Sequence, residues 1–386
     1  MYRTLIMKIN MNEEDNNTQD EMVSSYSSAN FIAGNSNSPL KKAKAAKEDE
    51  FYTQLTDIEK ELRFYTEHFR DKVVFCNCDD PETSNFWVFF REKFSDLGLK
   101  KLVSTHYEEG KQSYMMELVG ARYDDGELKY DNFVKTPLKG DGDFRSKECI
   151  EILKEADIVV TNPPFSLFRD YVSLLIEYKK KFLIIGNQNA LTYKDIFRLI
   201  KENTMWLGNH NGDMSFRVPD YFKPRATRYW EDETGQKWRS LGNICWFTNL
   251  DHAKRHEEFL CFKRYSVEDY PAYVNYEAID VSKAKDIPLD YDGVMGVPIT
   301  FLDKFNPEQF EIVALGIVGS CEFSSNRKME ILKNGESTGR YTFNAKGTLY
   351  RKYNPSKDKK PPAFKDCETG ELYSSIYARI LIKVKR

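Results

Sequence analysis

Between residues 71 and 205 the sequence alternates short apolar runs with stretches of helical spacing, and this alternation limits the possible fold more than any other feature. The apolar runs suit buried strands, and the stretches between them suit helices of about 10 to 15 residues. Strands joined through helices run parallel, since a tight turn would instead produce an antiparallel pair. The pattern predicts an α/β fold with a doubly wound, mostly parallel sheet and helices on both faces. The predicted strands lie within 71–80, 100–107, 157–161 and 181–190.

The composition is that of a globular protein. Of its 386 residues, 41% are hydrophobic and 14% are aromatic, which is enough for a substantial core. No apolar stretch approaches the roughly 18 to 20 residues of a membrane span, and the N-terminal apolar patch is too short for a secretory signal. We therefore expect a cytoplasmic protein without membrane contact. The seven cysteines have no framework spacing and are expected to stay reduced, while the net charge of -3 indicates no particular partner.

Composition also divides the chain into three parts. Residues 1–48 are rich in Ser, Asn and charge and poor in large apolar residues, so we predict a disordered tail. Helical spacing of apolar residues begins at Phe51, and we predict one α/β domain over 49–260. Aromatic, Arg and Lys residues become dense after residue 205, and mixed strands and loops are predicted for a C-terminal region over 261–386.

Polar residues follow the predicted strands at their carboxyl ends. In parallel α/β sheets, ligands bind in the crevice along this edge. We therefore expect one ligand site that includes Asp79 and Asp80, Asp143, the segment 162–165 and the amides at 187–189.

The segment Asn162-Pro163-Pro164-Phe165 ends the third predicted strand in an unusual way. Two adjacent prolines remove two backbone donors and fix two φ angles where a buried strand would use both. A bare Pro-Pro pair most often marks only a turn. Directly after a buried strand of an α/β sheet, however, the segment resembles motif IV of the S-adenosylmethionine-dependent amino-methyltransferases, usually written (D/N/S)-P-P-(Y/F).

The chemistry of amino methylation explains these residue types. An amino nitrogen conjugated to a purine ring is a poor nucleophile, because its lone pair is delocalised into the ring. If the Asn162 side-chain oxygen and the Pro163 carbonyl each accept one N–H, the nitrogen is drawn toward tetrahedral geometry and its lone pair is freed. Pro163 and Pro164 hold these acceptors rigidly, and the lost donors leave them available. Phe165 is then expected to stack on the base, a contact worth about 1 to 3 kcal/mol.

Four longer stretches extend the resemblance. They are "VVFCNCDDPETSNFWVFF", "GDGDFRSKECIEILKEADIVVTNPPFSLFRDYV", "FLIIGNQNALTYKDIF" and "ICWFTNLDHAKRHE". Together they are similar to the EcoRI-type family of adenine-specific DNA methyltransferases. The resemblance implies a Rossmann-like class I methyltransferase fold, and transfer of a methyl group from S-adenosylmethionine to N6 of a flipped-out adenine in duplex DNA, without a metal. It also implies a restriction-modification system, in which a cognate endonuclease would act on the same DNA site without forming a stable complex.

The resemblance implies a set of donor-binding residues. The donor turn, which in most relatives is F-x-G-x-G, contains no glycine here, and its residues are Cys76, Asn77, Asp79 and Asp80. Asp79 or Asp80 is expected to accept from the ammonium group of the donor, although acidic residues there would also suit a helix N-terminus. Asp143 with Phe144 matches the position that binds the donor's adenine, although a Gly-Asp pair is as often a simple turn.

A second set of residues is expected to contact DNA. Three consecutive amides are costly to desolvate without partners, so they are expected to meet the flipped base or the DNA backbone, or else to cap a loop. Two aromatic residues occupy the position of motif VIII, which stacks on the target base, although a buried core pair is an equal alternative. Basic residues interleaved with aromatics suit a groove for DNA phosphates, with further target recognition over 261–386. The three amides are Asn187, Gln188 and Asn189, the aromatic pair is Trp246 and Phe247, and the basic residues are Arg225 and Arg228.

Two alternatives to DNA methylation stay open at this point. An Asn-Pro-Pro-aromatic site would also suit an RNA adenine or a protein glutamine as methyl acceptor. A catalytically inactive nucleic-acid-binding module could also have kept the fold. The intact segment 162–165 argues against the inactive module.

Overall fold

The structure is a computed structural model that describes residues 51–124, 127–131, 133–324 and 327–385. The predicted tail over 1–48 lies outside these residues. The described chain is a mixed α/β protein with more strand than helix, built on one ten-stranded sheet and three smaller sheets. Among the described residues, no helix has both the length and the apolar character needed to cross a membrane.

The helices and strands have the following bounds. The α-helices are α1 (Leu55–Leu62), α2 (Asn85–Glu92), α3 (Lys147–Glu155), α4 (Phe168–Glu177) and α5 (Lys194–Lys201). The first strands are β1 (Tyr52–Thr53), β2 (Val73–Asn77), β3 (Lys101–Thr105), β4 (Tyr114–Leu118), β5 (Gly120–Asp124), β6 (Glu127–Asp131), β7 (Val134–Pro137), β8 (Ile158–Thr161), β9 (Lys181–Asn187), β10 (Trp206–Arg217), β11 (Tyr229–Glu231) and β12 (Lys237–Thr248). The C-terminal strands are β13 (Ile279–Asp280), β14 (Met295–Pro298), β15 (Phe310–Leu315), β16 (Lys328–Lys333), β17 (Glu336–Phe343), β18 (Leu349–Lys352), β19 (Phe364–Asp366), β20 (Leu372–Ile376) and β21 (Arg379–Val384).

The large sheet has the strand order β1-β10-β12-β9-β8-β2-β3-β4-β7, with β11 paired to β12. Its four central strands, β9, β8, β2 and β3, are parallel, and they are the four strands that the sequence predicts. The strands on both sides of this centre pair antiparallel. Antiparallel neighbours arise where short or hairpin-like connections replace helices, as between β3 and β4. The parallel arrangement is therefore confined to the middle of the sheet.

Helices cover both faces of the parallel centre. Alternate residues of a strand point to opposite faces, so Val74 and Cys76 of β2 pack on one side and Phe75 on the other. The first face is covered by α1 and α2, through side chains such as Trp87. The second face is covered by α3, α4 and α5, through side chains such as Leu175. The predicted two-sided packing is present around these strands.

The C-terminal strands form a mixed sheet, β13-β14-β21-β15, and an antiparallel sheet, β17-β16-β19-β20-β18. The core of the mixed sheet is continuous with the core under α5, because Ile312 and Ile382 belong to the same buried cluster as Phe197. Asp280 is buried at the end of β13 and accepts hydrogen bonds from Arg351 Nε (3.1 Å) and Arg379 Nε (3.0 Å). Arg351 lies in β18 of the antiparallel sheet, so its ion pair with Asp280 joins the two C-terminal sheets to each other.

Candidate active site

The carboxyl ends of β2, β3 and β8 meet at one edge of the sheet and are joined by side-chain hydrogen bonds. Thr105 Oγ1 donates to Asn77 Oδ1 (3.2 Å) at the ends of β3 and β2. Thr161 Oγ1, at the end of β8, contacts both the main-chain oxygen of Asn77 and Asp79 Oδ2. Sequence reasoning did not identify Thr161. The hydroxyl residues that end adjacent buried strands were the available signal, since a buried hydroxyl needs a partner.

Asn162 directly follows β8. Within the described chain, the nitrogen of its side-chain amide is hydrogen-bonded and the oxygen is not. Its Nδ2 donates to the main-chain oxygen of Phe51 (2.6 Å) and to Thr53 Oγ1 (3.2 Å). Its main-chain N–H points to Asp79 Oδ2 (3.3 Å). Its Oδ1 is buried and has no hydrogen-bond donor within the described part of the chain. A buried acceptor without a donor is costly, so this oxygen marks a position where a ligand donor is expected.

The two prolines shape the turn after Asn162. Pro164 has an extended backbone (φ -54°, ψ 126°) and its carbonyl accepts from Leu167 N (2.9 Å), which starts a short 3-10 turn over Phe165–Leu167. Pro163 is buried between Asn162 and this turn. Since neither proline has an N–H, these two residues present no main-chain donor beside Asn162 Oδ1.

Phe165 is 8% exposed and lies in an aromatic cluster. Its ring is stacked on Phe51, with centroids 5.4 Å apart and an interplanar angle of 21°. Phe51 also makes edge contacts with Phe216 (5.5 Å) and Phe222 (6.2 Å). Phe51 therefore covers one face of Phe165 and also touches Asn162 through its carbonyl.

The loop after β2 turns sharply without a glycine. Cys78 has φ 77°, a left-handed conformation that costs an ordinary residue about 1 to 2 kcal/mol. Asp79 lies inside the loop, where Oδ1 accepts from Ser84 Oγ (3.0 Å). Burial raises the pKa of Asp79 to about 7, against the lowering effect of its hydrogen bonds from Thr161, Ser84 and Asn162. We call this loop after β2 the donor loop, because the residues for the methyl donor are predicted there. Asp79 links it to the Asn162 turn.

The other predicted donor residues lie along the same edge. Asp80 Oδ1 accepts from Tyr114 OH (2.7 Å). Both carboxylate oxygens of Asp143 accept from the Arg145 guanidinium, at 2.9 and 2.6 Å. Phe144 is buried and packs edge-on against Tyr171, while Cys76 is buried within β2.

A glycine holds the Asp143 turn close to the end of β3. Gly142 has φ 83°, and a Cβ built on it would lie 2.0 Å from the main-chain oxygen of His106. Only glycine fits such a close approach of two main chains. The Gly-Asp pair is therefore a required turn that places Asp143 beside the donor loop.

Comparison with known proteins gives the family. A family profile described as "Adenine-specific methyltransferase EcoRI" matches residues 39–385. The chain is 50% identical over 308 residues to the Type II methyltransferase M.EcoRI of Escherichia coli, covering 74% of this chain and 94% of that protein. It is also 44% identical over 278 residues to the Type II methyltransferase M.MpnI of Mycoplasma pneumoniae and 42% identical over 279 residues to M.MgeORF184P of Mycoplasma genitalium, covering 70% of this chain and 84% of each relative.

This chain belongs to the EcoRI-type family of adenine-specific methyltransferases. It is a DNA adenine methyltransferase of the restriction-modification kind, as the resemblance implied. The Asn162 turn lies at the carboxyl edge of the parallel centre of its sheet, which is where ligands bind in open α/β sheets.

The amides of the methyltransferase at 187–189 begin a short 3-10 turn at the end of β9. Asn187 Oδ1 accepts from Asn189 N (2.9 Å) and from Asn243 Nδ2 (2.8 Å). The main-chain oxygen of Asn189 accepts from Thr192 Oγ1 (2.8 Å). Gln188 is the first residue of the turn. The Asn187 side chain therefore caps this turn, which is the alternative that the sequence left open.

Trp246 and Phe247 lie in the core of the methyltransferase, and both are 0% exposed. They pair with Ile185 and Ile184 in the middle of the sheet. Neighbouring residues of a strand point to opposite faces, so these two rings cannot both contact one base. Both rings pack as the core-pair alternative expects, and a role of either ring in base stacking stays a prediction.

The segment of the methyltransferase that connects β10 and β12 contains the predicted basic residues. We call residues 217–239 the basic hairpin. Arg228 donates to Asp213 Oδ1 (3.0 Å), and the pKa of Arg239 is lowered by burial and then by the charges of Arg225 and Arg228. Trp230 is 41% exposed and is stacked on Trp238, with centroids 6.3 Å apart. Three guanidinium groups therefore lie near each other beside exposed aromatic surface.

Proposed function

We propose that the protein transfers a methyl group from S-adenosylmethionine to N6 of an adenine flipped out of duplex DNA, on a Rossmann-like class I scaffold. The observation that carries this proposal is the Asn162 amide, whose Nδ2 is bonded by the chain and whose Oδ1 is buried without a donor among the described residues. An amino group is the donor that would complete it. Asn162, Pro163, Pro164 and Phe165 together match the motif of the family.

Asn162 acts in the proposed reaction as a hydrogen-bond acceptor. Its Oδ1 and the Pro163 carbonyl would each accept one N–H of the adenine, which frees the nitrogen lone pair for attack. Such acceptors need no reorganisation during the reaction, because the prolines and the contacts of Nδ2 hold them in place. Holding the two reacting groups in line can supply roughly 7 to 11 kcal/mol of the barrier.

S-adenosylmethionine, when bound, supplies the methyl group from a sulfonium centre. The residues at the edge of the sheet fit such a group, because Asn77 Nδ2 is a second buried polar atom that lacks a partner among the described residues. Cys76 and Asn77 end the buried strand, and Asp80 and Asp143 carry carboxylates along the same edge. A carboxylate bonded twice by one guanidinium, like that of Asp143, still has lone pairs for an amino group.

Two predicted donor residues have more specific roles in this proposal. Asp79 has its oxygens bonded to Ser84, Thr161 and Asn162 and so would fix the shape of the donor loop. Phe144 would provide an apolar wall below the Asp143 turn. The ammonium group of S-adenosylmethionine would then be bound by Asp80 and by main-chain atoms of the donor loop.

The target base enters only after the site opens. Asn162 Oδ1 is buried, so no base can bond to it in the described conformation. Phe51 covers one face of Phe165 and contacts Asn162, so displacement of the Phe51 ring would expose both ends of the motif. The base would then stack on Phe165 in place of Phe51.

The basic hairpin is the proposed contact for DNA phosphates. Arg225 and Arg228 both raise the positive potential around Arg239, and such a potential attracts phosphates even with Asp213 bonded to Arg228. Asn187, Gln188 and Asn189 begin the turn after β9, at the same edge as the Asn162 turn, and would line the DNA side of the pocket. We assign target recognition to 261–386, and the proposed endonuclease partner acts on the same site independently.

The experiment uses the full chain with tritiated S-adenosylmethionine and separate pools of duplex DNA, RNA and protein. Label is expected in DNA, on N6 of adenine. Asn162→Ala should lose most turnover and keep its affinity for DNA, whereas Asn162→Asp keeps an acceptor and should retain measurable turnover. Label found only in RNA or protein would overturn the substrate, and full activity of Asn162→Ala would overturn the mechanism.

A further inference from the structure

Thr53 is a buried polar residue that contacts the Asn162 turn. It is 5% exposed, and its hydroxyl accepts from Asn162 Nδ2 (3.2 Å). The second hydrogen of the same NH2 group goes to the Phe51 carbonyl (2.6 Å). An amide nitrogen has only two hydrogens to donate, so both are used by the chain itself.

The Phe51 carbonyl decides which way the amide of Asn162 points, because a carbonyl can only accept, and the Thr53 hydroxyl then serves as the second acceptor. If the group were flipped, Oδ1 would face the Phe51 carbonyl and the Thr53 hydroxyl in place of Nδ2. Two carbonyl oxygens at 2.6 Å repel each other, since no hydrogen lies between them. The observed orientation instead turns Oδ1 away from β1 and leaves it without a donor in the described chain.

Thr53 is held independently of the Phe51 ring. It pairs with Phe216 through the β1–β10 ladder, and its main-chain oxygen accepts from Asn85 Nδ2 (2.7 Å). The next residue, Gln54, donates to the main-chain oxygen of Ser215 (2.8 Å). The Phe51 ring can therefore swing away from Phe165 while the Thr53 hydroxyl stays in place.

We propose that Thr53 is a positioning residue that fixes the Asn162 amide, so that Oδ1 faces the amino group to be methylated. The inference rests on the proposed role of Asn162 and deepens it. Without the hydroxyl, one amide hydrogen has no partner and the amide rotates more freely about χ2. Oδ1 then points at the substrate for a smaller fraction of the time, and the rate of methyl transfer falls while binding is retained.

The test compares Thr53→Val, which removes the hydroxyl and keeps the shape, with Thr53→Ser, which keeps the hydroxyl. Single-turnover methyl transfer to duplex DNA is measured at saturating donor, together with the Kd values for donor and DNA and the thermal unfolding midpoint. Thr53→Val should transfer roughly tenfold more slowly, as the loss of one neutral hydrogen bond implies, with both Kd values within about twofold. Thr53→Ser should stay within about twofold of the unsubstituted protein.

Two outcomes would overturn the inference. One is an unchanged single-turnover rate in Thr53→Val, and the other is a loss that appears only in the donor Kd, which would make Thr53 a donor contact. Thr53→Ala provides a second variant without the hydroxyl in case the valine variant does not fold. Asn162→Ala is measured alongside: if it is inactive while Thr53→Val is normal, only this inference fails, and if it is fully active the proposed mechanism fails as well.

Discussion

The carboxyl group of Asp79 is expected to hold a proton in the folded protein at mildly acidic pH. Thr161 Oγ1 has one hydrogen but contacts two oxygens, the main-chain oxygen of Asn77 and Asp79 Oδ2. A proton on Asp79 resolves this, because Thr161 can then donate to Asn77 and accept from Asp79. The pKa of Asp79, raised to about 7 mainly by burial, agrees with this assignment.

The sign of the effect on stability follows from the two pKa values. The ordinary pKa is 3.8, so between that value and about 7 the unfolded chain has lost the proton that the folded chain keeps. Stability therefore falls as pH rises through this window and levels off above about 7. At about 1.36 kcal/mol per unit, the two units between about pH 5 and pH 7 correspond to roughly 2.5 kcal/mol.

The assay is urea unfolding of the unsubstituted protein and of Asp79→Asn at about pH 5 and about pH 8. Because asparagine does not titrate, the difference in unfolding free energy between the two proteins isolates the contribution of Asp79. From the lower to the higher pH, the unsubstituted protein is expected to lose roughly 2.5 kcal/mol of unfolding free energy relative to Asp79→Asn. A difference that does not change with pH would refute the protonated carboxyl and the hydrogen-bond assignment at Thr161.

Four further substitutions test other parts of the structure. Arg225→Gln and Arg228→Gln should each weaken binding to duplex DNA and, where a phosphate contact is lost, lower the salt slope by about 0.9, as fluorescence anisotropy at several salt concentrations would show. An unchanged slope would exclude the basic hairpin as a phosphate contact. Trp246→Ala should reduce the unfolding free energy by about 3 to 5 kcal/mol because it opens a core cavity, and normal stability with weakened base binding would instead support the stacking role. Gly142→Ala should destabilise by about 1 to 3 kcal/mol, since its φ is unfavourable for alanine and its Cβ would clash with His106, and calorimetry that shows no loss would contradict this account of the turn.

The sequence predicts the middle of the sheet well and its edges poorly. The four parallel strands are buried on both faces, so they appear as continuous apolar runs. The antiparallel strands at the edges are partly exposed and polar, as in β10 with its bulges around Asn211, and no simple period marks them. Periodicity detects burial, so it finds the strands that two helix layers cover.

In the candidate site too, the sequence predicts a motif of neighbouring residues and misses contacts between residues that are far apart in the chain. Asn162 to Phe165 is a local motif, and its position after β8 follows from the order of elements. The contact of Phe51 and Thr53 with Asn162 joins residues more than a hundred positions apart, and no pattern in the sequence records it. The burial of Trp246 and Phe247 also depends on strand pairing across the sheet, which a local aromatic pair does not reveal.

The side-chain oxygen of Asn162, which has no donor among the described residues, also affects the stability of the protein without its substrate. A buried oxygen without a hydrogen-bond donor, as Asn162 Oδ1 is within the described part of the chain, raises the free energy of the folded state by about 1 to 3 kcal/mol. An amine that bonds to this oxygen would recover that cost on binding. In the proposed reaction, one atom therefore both lowers the stability of the folded protein and favours the binding of its substrate.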